Sequence, residues 1–183
     1  MTRIFDILFS FLGLVLLCPV LIVLIIIGYF DTRSPIFRQE RVGKGKKPFN
    51  LIKFRSMHVN ALSVATHLAN SSSITPFGAF LRKSKLDELP QLWNVLVGDM
   101  SLVGPRPNLF NQEELIHERD SRGVYTVRPG ITGLAQINKI DMSTPQLLAE
   151  TDAKMIQNLS TISYFKYILL TFFGRGFGDR IRK

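Results

Sequence analysis

The sequence feature that most limits the fold is an uncharged apolar run near the N-terminus. It extends from Ile7 to Phe30, and roughly 20 apolar residues are enough to cross the hydrocarbon core of a bilayer. The run is too long for the hydrophobic region of a cleaved signal peptide, and no small-residue cleavage site follows it. We therefore expect this segment to insert into a membrane.

A proline divides this apolar run near its middle, at Cys18-Pro19. Proline removes a helical hydrogen bond and kinks or breaks the helix. Two arrangements follow: a kinked helix that spans the bilayer, or a re-entrant hairpin that returns to the side from which it entered. The hairpin would keep Arg3 and Asp6 on the same side as the rest of the chain. The residues alone leave both arrangements open.

Positive charge follows the apolar run and dominates the whole chain. The formal net charge is +9, which predicts anionic partners such as phosphorylated ligands, nucleic acid or an acidic membrane surface. Basic residues directly after a membrane segment favour a cytoplasmic position for the domain that follows. These residues are Arg33, Arg38, Arg41, Lys44, Lys46 and Lys47. Because Cys18 is the single cysteine, no internal disulfide is possible.

The remaining chain predicts an α+β domain that is mostly helical. Residues 1–30 are expected to form the membrane segment, and residues 31–183 a domain at the membrane surface. The first predicted elements are a β-hairpin of Ile36–Arg41 and Phe49–Phe54 and then a helical start and polar loop between His58 and Ser73. A helix Gln91–Val97 that opens at Pro90 and stops at Gly98, a solvated charged helix Asn111–Arg122 and a short strand after Arg128 are expected next. The chain is expected to end with a last helix from about Thr144, an interfacial apolar segment Ile162–Phe173 and a basic tail from 174 to 183.

Two further features bear on the membrane surface. Phe77, Phe80 and Leu81 share one helical face beside Arg82 and neighbouring lysines. This pattern is typical of an amphipathic helix at a membrane surface, and an ordinary helix facing the core has the same pattern. Trp93 and its apolar neighbours are expected to pack inside the protein.

The acidic pair Asp87-Glu88 stands between a basic cluster and Pro90. Mg²⁺ is commonly bound through one or two carboxylates together with substrate phosphates, and arginine suits phosphate recognition. The cationic candidates for phosphate binding are Lys53, Arg55, Arg82, Lys83, Arg106 and Arg128. This combination indicates phosphoryl transfer. Taken by itself, an Asp-Glu pair is more simply a solvated or helix-capping pair.

Longer motifs resemble those of the bacterial sugar transferases, also called monotopic phosphoglycosyl transferases. The resemblance is carried by RIFDILFSFLGLVLLCPV, SPIFRQERVGKGKKPFNLIKFRSM, LRKSKLDELPQLWNVLVGDMSLVGPRP and VRPGITGLAQIN. These blocks cover most of the chain, and they match the minimal catalytic unit of the family. The resemblance implies a location at the cytoplasmic face of the bacterial inner membrane.

The resemblance also implies a reaction in two steps. Asp87 would attack the β-phosphate of a UDP-sugar, release UMP and form a covalent aspartyl phosphosugar. Polyprenol (undecaprenyl) phosphate would then take up the sugar phosphate, which is the first membrane step of glycan assembly. Glu88, with Asp87, would hold Mg²⁺. Basic family positions at substrate or phosphate are matched by Lys53, Arg82, Arg106 and Arg128, and an acidic position by Asp152.

The family's N-terminal helix is re-entrant and breaks near a Ser-Pro dipeptide, where this chain has Cys18-Pro19. Cysteine is a weaker hydrogen-bonding group than serine. The chain also departs from the family pattern at Pro76 and at Lys139-Ile140, and we expect these changes to affect sugar or nucleotide selectivity.

Two other functional hypotheses remain. A membrane-tethered basic protein could bind anionic lipid or nucleic acid without chemistry, although this gives no reason for an acidic pair among cations. The basic tail predicts contact with anionic lipid headgroups, and nucleic acid is not an expected partner of the enzyme. Alternatively, polyprenol phosphate could attack the UDP-sugar directly in a ternary complex, without a covalent intermediate.

Overall fold

The structure, a computed structural model, describes residues 2–61 and 73–173. Within these ranges the chain is mostly helical with two small two-stranded sheets, which confirms the α+β prediction. The helices are α1 (Thr2–Leu16), α2 (Cys18–Thr32), α3 (Pro76–Ser84), α4 (Gln91–Val97), α5 (Glu113–Ser121), α6 (Leu134–Ile137), α7 (Pro145–Gln157) and α8 (Thr161–Phe172). The strands are β1 (Ile36–Val42), β2 (Pro48–Phe54), β3 (Ser101–Val103) and β4 (Gly130–Thr132).

The apolar N-terminal segment is broken at the predicted dipeptide. Helices α1 and α2 meet at Leu17 with a bend of 63°. Pro19 lies in the first turn of α2, where its missing N–H costs no helical hydrogen bond. Hydrogen bonds from the Leu17 N–H to the Gly13 carbonyl and from the Leu21 N–H to the Leu17 carbonyl continue across the bend. Backbone groups next to the break are therefore bonded to other backbone groups. Within residues 2–61 and 73–173 no single helix is long and apolar enough to cross a membrane, whereas the bent pair together reaches that length and composition.

The N-terminal end of the bent pair is fixed to the rest of the protein by charged side chains. The Arg3 guanidinium donates to the carbonyls of Val95 at 2.6 Å and Leu96 at 2.9 Å, at the end of α4. Asp6 is buried and accepts hydrogen bonds from Ser101 Oγ at 2.9 Å, from the Leu102 N–H at 2.9 Å and from the Tyr164 hydroxyl at 2.7 Å.

The C-terminal end of the pair contacts the same body of the protein. Leu24 of α2 packs against Phe54 and Leu81, and Thr75 donates to Asp31 at 2.7 Å. Both ends of the bent pair therefore lie on the body formed by the remaining helices and strands.

The predicted β-hairpin is confirmed. Strands β1 and β2 pair antiparallel, from Ile36 opposite Phe54 to Val42 opposite Pro48. Gly45 in the connecting turn has φ +64°, a backbone conformation that glycine adopts without steric cost. Phe49 and Leu51 of β2 pack with Val95 and Met100 in the core.

Helix α3 faces the core, with one apolar side chain left outside. Leu81 is fully buried, whereas Phe80 is half-exposed. The core-facing interpretation therefore holds for Leu81, whereas contact of Phe80 with a membrane stays a prediction. A Cβ at Gly78 would lie 2.0 Å from the Ser56 carbonyl oxygen, so only glycine permits the close approach of α3 to the chain after β2.

The second sheet joins the segments that contain GPRP and RPGITG. Strands β3 and β4 pair in parallel, with Ser101 opposite Gly130 and Val103 opposite Thr132. A Cβ at Gly130 would lie 2.0 Å from the Gly104 nitrogen, so this crossing also requires glycine. The predicted short strand after Arg128 is therefore present as β4.

Two predictions about the helices, on α5 and on Trp93, were wrong. The charged helix α5 is not fully solvated, because Leu115 and Arg119 are buried. The predicted last helix and the apolar segment after it are present as α7 and α8, which are separated at Asn158–Ser160, where Ser160 forms a capping box with Ser163. Trp93 does not pack inside the protein, because it is 52% exposed. The predicted helical start and polar loop fall largely on residues 62–72, and the basic tail on residues 174–183; both lie outside the described residues.

Candidate active site

The acidic pair lies in a tight turn between two helices. Lys85 ends α3 in a left-handed conformation with φ +59°, and Leu86–Glu88 form one 3₁₀ turn. Pro90 caps α4 and thus stands one residue before its predicted position as the first helical residue. Only 2% of Asp87 and 9% of Glu88 is exposed, so the two acids are not a solvated surface pair.

Two cations from distant parts of the chain reach Glu88. Arg106 Nη2 lies 2.8 Å from Glu88 Oε1, and Lys53 Nζ lies 3.8 Å from the same oxygen. Lys53 comes from β2, and Arg106 comes from the irregular segment after β3. Lys53 is itself buried. Buried charges are stable only when they are paired, so the carboxylate and its two cations stabilise one another.

Arg82 lies in the last turn of α3, just before the acidic pair. Its Nε donates to Ser56 Oγ at 2.7 Å, and Ser56 is the residue to which Gly78 permits close approach. The sequence thus brings two carboxylates and three cationic side chains to the ends of α3, β2 and β3. Such an excess of positive charge around two acids suits an anionic ligand.

Arg55 and Arg128 bond to backbone oxygens instead of contacting the acidic pair. Arg55 Nε donates to the Ser34 carbonyl at 2.8 Å, and its guanidinium lies over the Phe37 ring at 5.4 Å. Arg128 Nε donates to the Gly98 carbonyl at 2.7 Å, after α4. In this structure both arginines connect chain segments next to the site.

Asp152, for which the resemblance implies a position at substrate, is buried inside the protein. It is 0% exposed, and its Oδ2 accepts from Arg119 Nε at 3.1 Å and Arg119 Nη2 at 2.7 Å. Burial raises the pKa of Asp152 above the ordinary range of a carboxyl, and the Arg119 guanidinium opposes this rise. Asp152 is buried because its spacing places it on the inner face of α7, together with Leu148 and Met155.

Sequence reasoning missed Arg119 and Asn108, which lie behind the Arg106 segment. Arg119 donates to the Arg106 carbonyl at 2.8 Å and to Asn108 Oδ1 at 2.9 Å. Asn108 Oδ1 also accepts from the Tyr125 hydroxyl at 3.0 Å, and burial raises the pKa of Tyr125, so that this phenol stays protonated. The available signal was the position of Arg119 four residues after the buried Leu115, on the inner face of α5.

The residues of the acidic pair fit a magnesium ion with few protein ligands. Within residues 2–61 and 73–173 no group of three or more His, Cys, Asp or Glu side chains could hold a metal. A complete protein cage is therefore absent from the described part, and two adjacent carboxylates remain. Mg²⁺ accepts such a site when substrate phosphates complete its coordination.

Comparisons with known proteins agree with the motifs. The chain is 42% identical over 187 residues to a UDP-glucose:undecaprenyl-phosphate glucose-1-phosphate transferase of Klebsiella pneumoniae, covering 96% of this chain and 40% of the relative. It is 39% identical over 153 residues to a UDP-galactose-lipid carrier transferase of Erwinia amylovora, covering 74% of this chain and 32% of the relative. The chain thus spans about a third to two fifths of the length of these two relatives.

A third relative is similar in length. The exopolysaccharide production protein PSS of Rhizobium leguminosarum bv. phaseoli is 36% identical over 178 residues, covering 91% of this chain and 88% of the relative. The family model described as bacterial sugar transferase matches residues 1–176, which include the bent helix pair, the acidic pair and the Arg106 segment. The chain therefore belongs to the bacterial sugar transferase family.

Proposed function

We propose that the chain transfers a sugar-1-phosphate from a UDP-sugar to polyprenol (undecaprenyl) phosphate and releases UMP. The observation that carries this proposal is the buried acidic pair, with Arg106 and Lys53 converging on Glu88 at 2.8 and 3.8 Å. The names of the relatives, which specify transfer to undecaprenyl phosphate or a lipid carrier, support it independently. The product would be the first membrane-bound intermediate of glycan assembly.

In the proposed mechanism Asp87 is the nucleophile. A carboxylate oxygen of Asp87 attacks the β-phosphorus of the UDP-sugar, and the bond from that phosphorus to the bridging oxygen breaks. UMP leaves with the bridging oxygen. A phosphate oxygen of polyprenol phosphate then attacks the same phosphorus and breaks its bond to Asp87, which frees the carboxylate and yields a polyprenyl-diphosphate-linked sugar.

The cations supply the electrostatic part of this proposal. Arg106, whose side chain is 22% exposed, can bind a phosphate oxygen while it stays near Glu88, since a guanidinium has several donors. Lys53 and Arg82 are assigned to the remaining phosphate charge. Asp87 and Glu88 would hold Mg²⁺, which would neutralise charge on the diphosphate.

We infer further that the protein is a monotopic membrane protein. Residues 1–30 would enter one leaflet and return at the Cys18-Pro19 break, and residues 31–183 would lie on the cytoplasmic surface of the bacterial inner membrane. The contacts of Arg3 and Asp6 with the body of the protein support this re-entrant form. The exposed apolar side chains that support contact with lipid are Ile4, Leu16 and Phe30 of the bent pair, Trp93 and Val97 of α4, and Ile162, Leu169 and Phe172 of α8.

The membrane arrangement is tested by labelling. A cysteine introduced at Thr2 of a Cys18→Ser variant should react with an impermeant reagent only from the cytoplasmic side of the membrane. Labelling from the opposite side would show a spanning helix and overturn the re-entrant arrangement. Vesicles with and without phosphatidylglycerol would test the proposed contact with anionic lipid, because binding should increase with the anionic fraction.

The chemistry is tested by the release of UMP from a set of UDP-sugars that includes UDP-glucose and UDP-galactose. We expect one or more of them to release UMP, and Asp87→Asn to abolish the release while membrane binding persists. Asp120→Asn, at an exposed position on α5, is the matched control and should stay active. Membrane binding without release from any UDP-sugar would instead favour a non-enzymatic basic protein.

A second measurement separates the covalent mechanism from direct transfer. Without polyprenol phosphate, intact-mass analysis should detect the wild-type chain with one added sugar phosphate, and this adduct should be missing from Asp87→Asn. Turnover without any trappable adduct would favour direct attack in a ternary complex.

A further inference from the structure

The segment that carries Arg106 is held through its backbone carbonyl groups. Every carbonyl from Gly104 to Asn108 accepts a hydrogen bond from a group outside this segment. In order along the segment, the donors are the Gln136 amide at 3.5 Å, the Gly130 N–H at 2.8 Å, Arg119 Nη1 at 2.8 Å, Arg41 Nη1 at 3.2 Å and the Val42 N–H at 2.9 Å. This irregular backbone, which we call the arginine loop, is therefore fixed at each of its residues.

Arg119 is the most completely buried of the three donors that use a side chain. Its side chain is 1% exposed, and it makes four hydrogen bonds: two to Asp152 Oδ2, one to Asn108 Oδ1 and one to the Arg106 carbonyl. Asp152 belongs to α7, and Asn108 belongs to the arginine loop. The guanidinium thus connects the loop to a buried side chain of α7.

The two prolines that flank Arg106 limit the conformations of its backbone. Pro105 and Pro107 each have a fixed φ, and a residue that precedes proline is restricted to extended conformations. The Arg106 backbone therefore has few alternatives once its carbonyl is held. At the other end of the same residue, Nη2 lies 2.8 Å from Glu88.

We propose that Arg119 is a positioning residue for the active site. It binds the backbone carbonyl of Arg106 and thereby sets where the Arg106 guanidinium meets Glu88 and a substrate phosphate, with Asp152 as its counter-ion. The catalytic consequence rests on the proposed function, whereas the anchoring of the arginine loop does not.

The proposal requires arginine at position 119. A guanidinium has five N–H donors in a planar fork, whereas a lysine ammonium is a compact charge on a flexible stem. Lysine could keep the pairing with Asp152, but it could not also reach Asn108 and the Arg106 carbonyl in the same geometry. Arg119→Lys therefore removes the anchoring and retains the charge.

The first experiment measures hydrogen exchange and needs no activity. Full-length wild-type protein and Arg119→Lys in lipid nanodiscs are compared, with Arg122→Lys, at a more exposed position after α5, as the matched control. Exchange should become at least about tenfold faster in Arg119→Lys at the amides of Gly104, Leu109 and Gly130, which are bonded within or beside the loop. The amides of the β1–β2 hairpin away from Val42 should be unchanged.

The second experiment is a double-mutant cycle on UMP release. Arg119→Lys should lower kcat/KM by on the order of 10²-fold, because a displacement of about 1 Å in an active site can have that effect. In an Arg106→Met background the same change should cost less than about threefold, since residues that act through one another are not additive. Arg122→Lys should stay within about twofold of the wild type.

Each outcome decides the proposal. Unchanged exchange in the loop, or an equal loss with and without Arg106, would overturn it. If the wild type releases UMP from no UDP-sugar, the proposed function fails, and the exchange measurement still decides whether Arg119 anchors the loop. If Arg119→Lys does not fold, Tyr125→Phe is used instead, because it removes the hydrogen bond from the Tyr125 hydroxyl to Asn108. Tyr125→Phe should lower kcat/KM by about fivefold, which corresponds to the loss of one ordinary hydrogen bond. An unchanged kcat/KM would overturn the proposal.

Discussion

Arg106 connects two ion pairs of a carboxylate with an arginine: its side chain pairs with Glu88, and its carbonyl accepts from Arg119, which pairs with Asp152. The two pairs differ in their exposure to water. Glu88 accepts from the Arg106 side chain at 2.8 Å, and 22% of that arginine side chain is exposed. Asp152 accepts from Arg119 at 2.7 Å, and at most 1% of either side chain is exposed. The distances are nearly equal, so distance does not distinguish the roles of the two pairs.

What distinguishes the pairs is the burial of their arginines. Arg119 has four hydrogen bonds, three of them to buried acceptors, as the desolvation of a fully buried charge requires. The Arg106 side chain is 22% exposed, so a phosphate can approach it. The buried pair thus suits a structural role, and the partly open pair suits a ligand.

The largest effect should follow a change in the open pair. Glu88→Gln should lower UMP release by about a thousandfold, because a charged group at the reacting phosphates is lost. Because Glu88 also neutralises the buried Lys53 ammonium, the midpoint of thermal unfolding should fall moderately, by less than in Arg119→Met. A large fall of this midpoint with little loss of UMP release would reverse the roles assigned to the two pairs.

The next largest effect should follow a change in the buried pair. Arg119→Met leaves the Asp152 carboxylate buried without its cation and should lower the free energy of unfolding by about 3–5 kcal/mol at neutral pH. Denaturant unfolding of the protein in detergent measures this change. A loss below about 1 kcal/mol would show that the pair adds little to stability.

A smaller effect concerns the pH dependence of that loss. A carboxyl whose pKa is raised in the folded state stabilises the fold below its ordinary pKa, and this contribution is lost as pH rises through the folded-state pKa. Burial raises the pKa of Asp152 and Arg119 opposes the rise, so Arg119→Met should raise this pKa further. The loss of stability in Arg119→Met should therefore shrink as pH falls from about 7 to about 4. A loss that is independent of pH would mean that Asp152 does not titrate with the fold.

The smallest effect is expected at a third pair that lies at the surface. Lys46 and Asp120 are 2.7 Å apart, and their side chains are 50% and 48% exposed. Lys46→Met should change the free energy of unfolding by no more than about 0.5 kcal/mol, since exposed ion pairs are screened by water. A change as large as that of Arg119→Met would mean that burial does not set the strength of these pairs.

Local sequence signals predicted those helices and strands whose ends are marked by residues in the sequence itself. The hairpin was predictable because apolar strands flank a turn rich in Gly and Lys, and α4 because Pro90 and Gly98 mark its ends. Pro19 predicted the break between α1 and α2. The prediction failed at Trp93, which is exposed although its residue type suggests burial, and along the inner face of α5, where Leu115 and Arg119 are buried.

The candidate site shows the same division. The Asp87-Glu88 pair lies within one long continuous motif, so its importance could be recognised from the sequence. The partners of Glu88 come from β2 and from the arginine loop, and only packing selects Lys53 and Arg106 over Arg55 and Arg128. No periodicity identifies such a selection, because it depends on contacts between distant segments.

The sequence by itself determined the family, the broken apolar segment and the acidic pair, because each depends on residues that are adjacent in the chain. Only the tertiary structure decided which charges face water and which are buried. It paired Asp152 with Arg119 and Glu88 with Arg106, and it joined both pairs through one residue. The physical reason is that the pairing of a charge is set by burial and by neighbours from other segments.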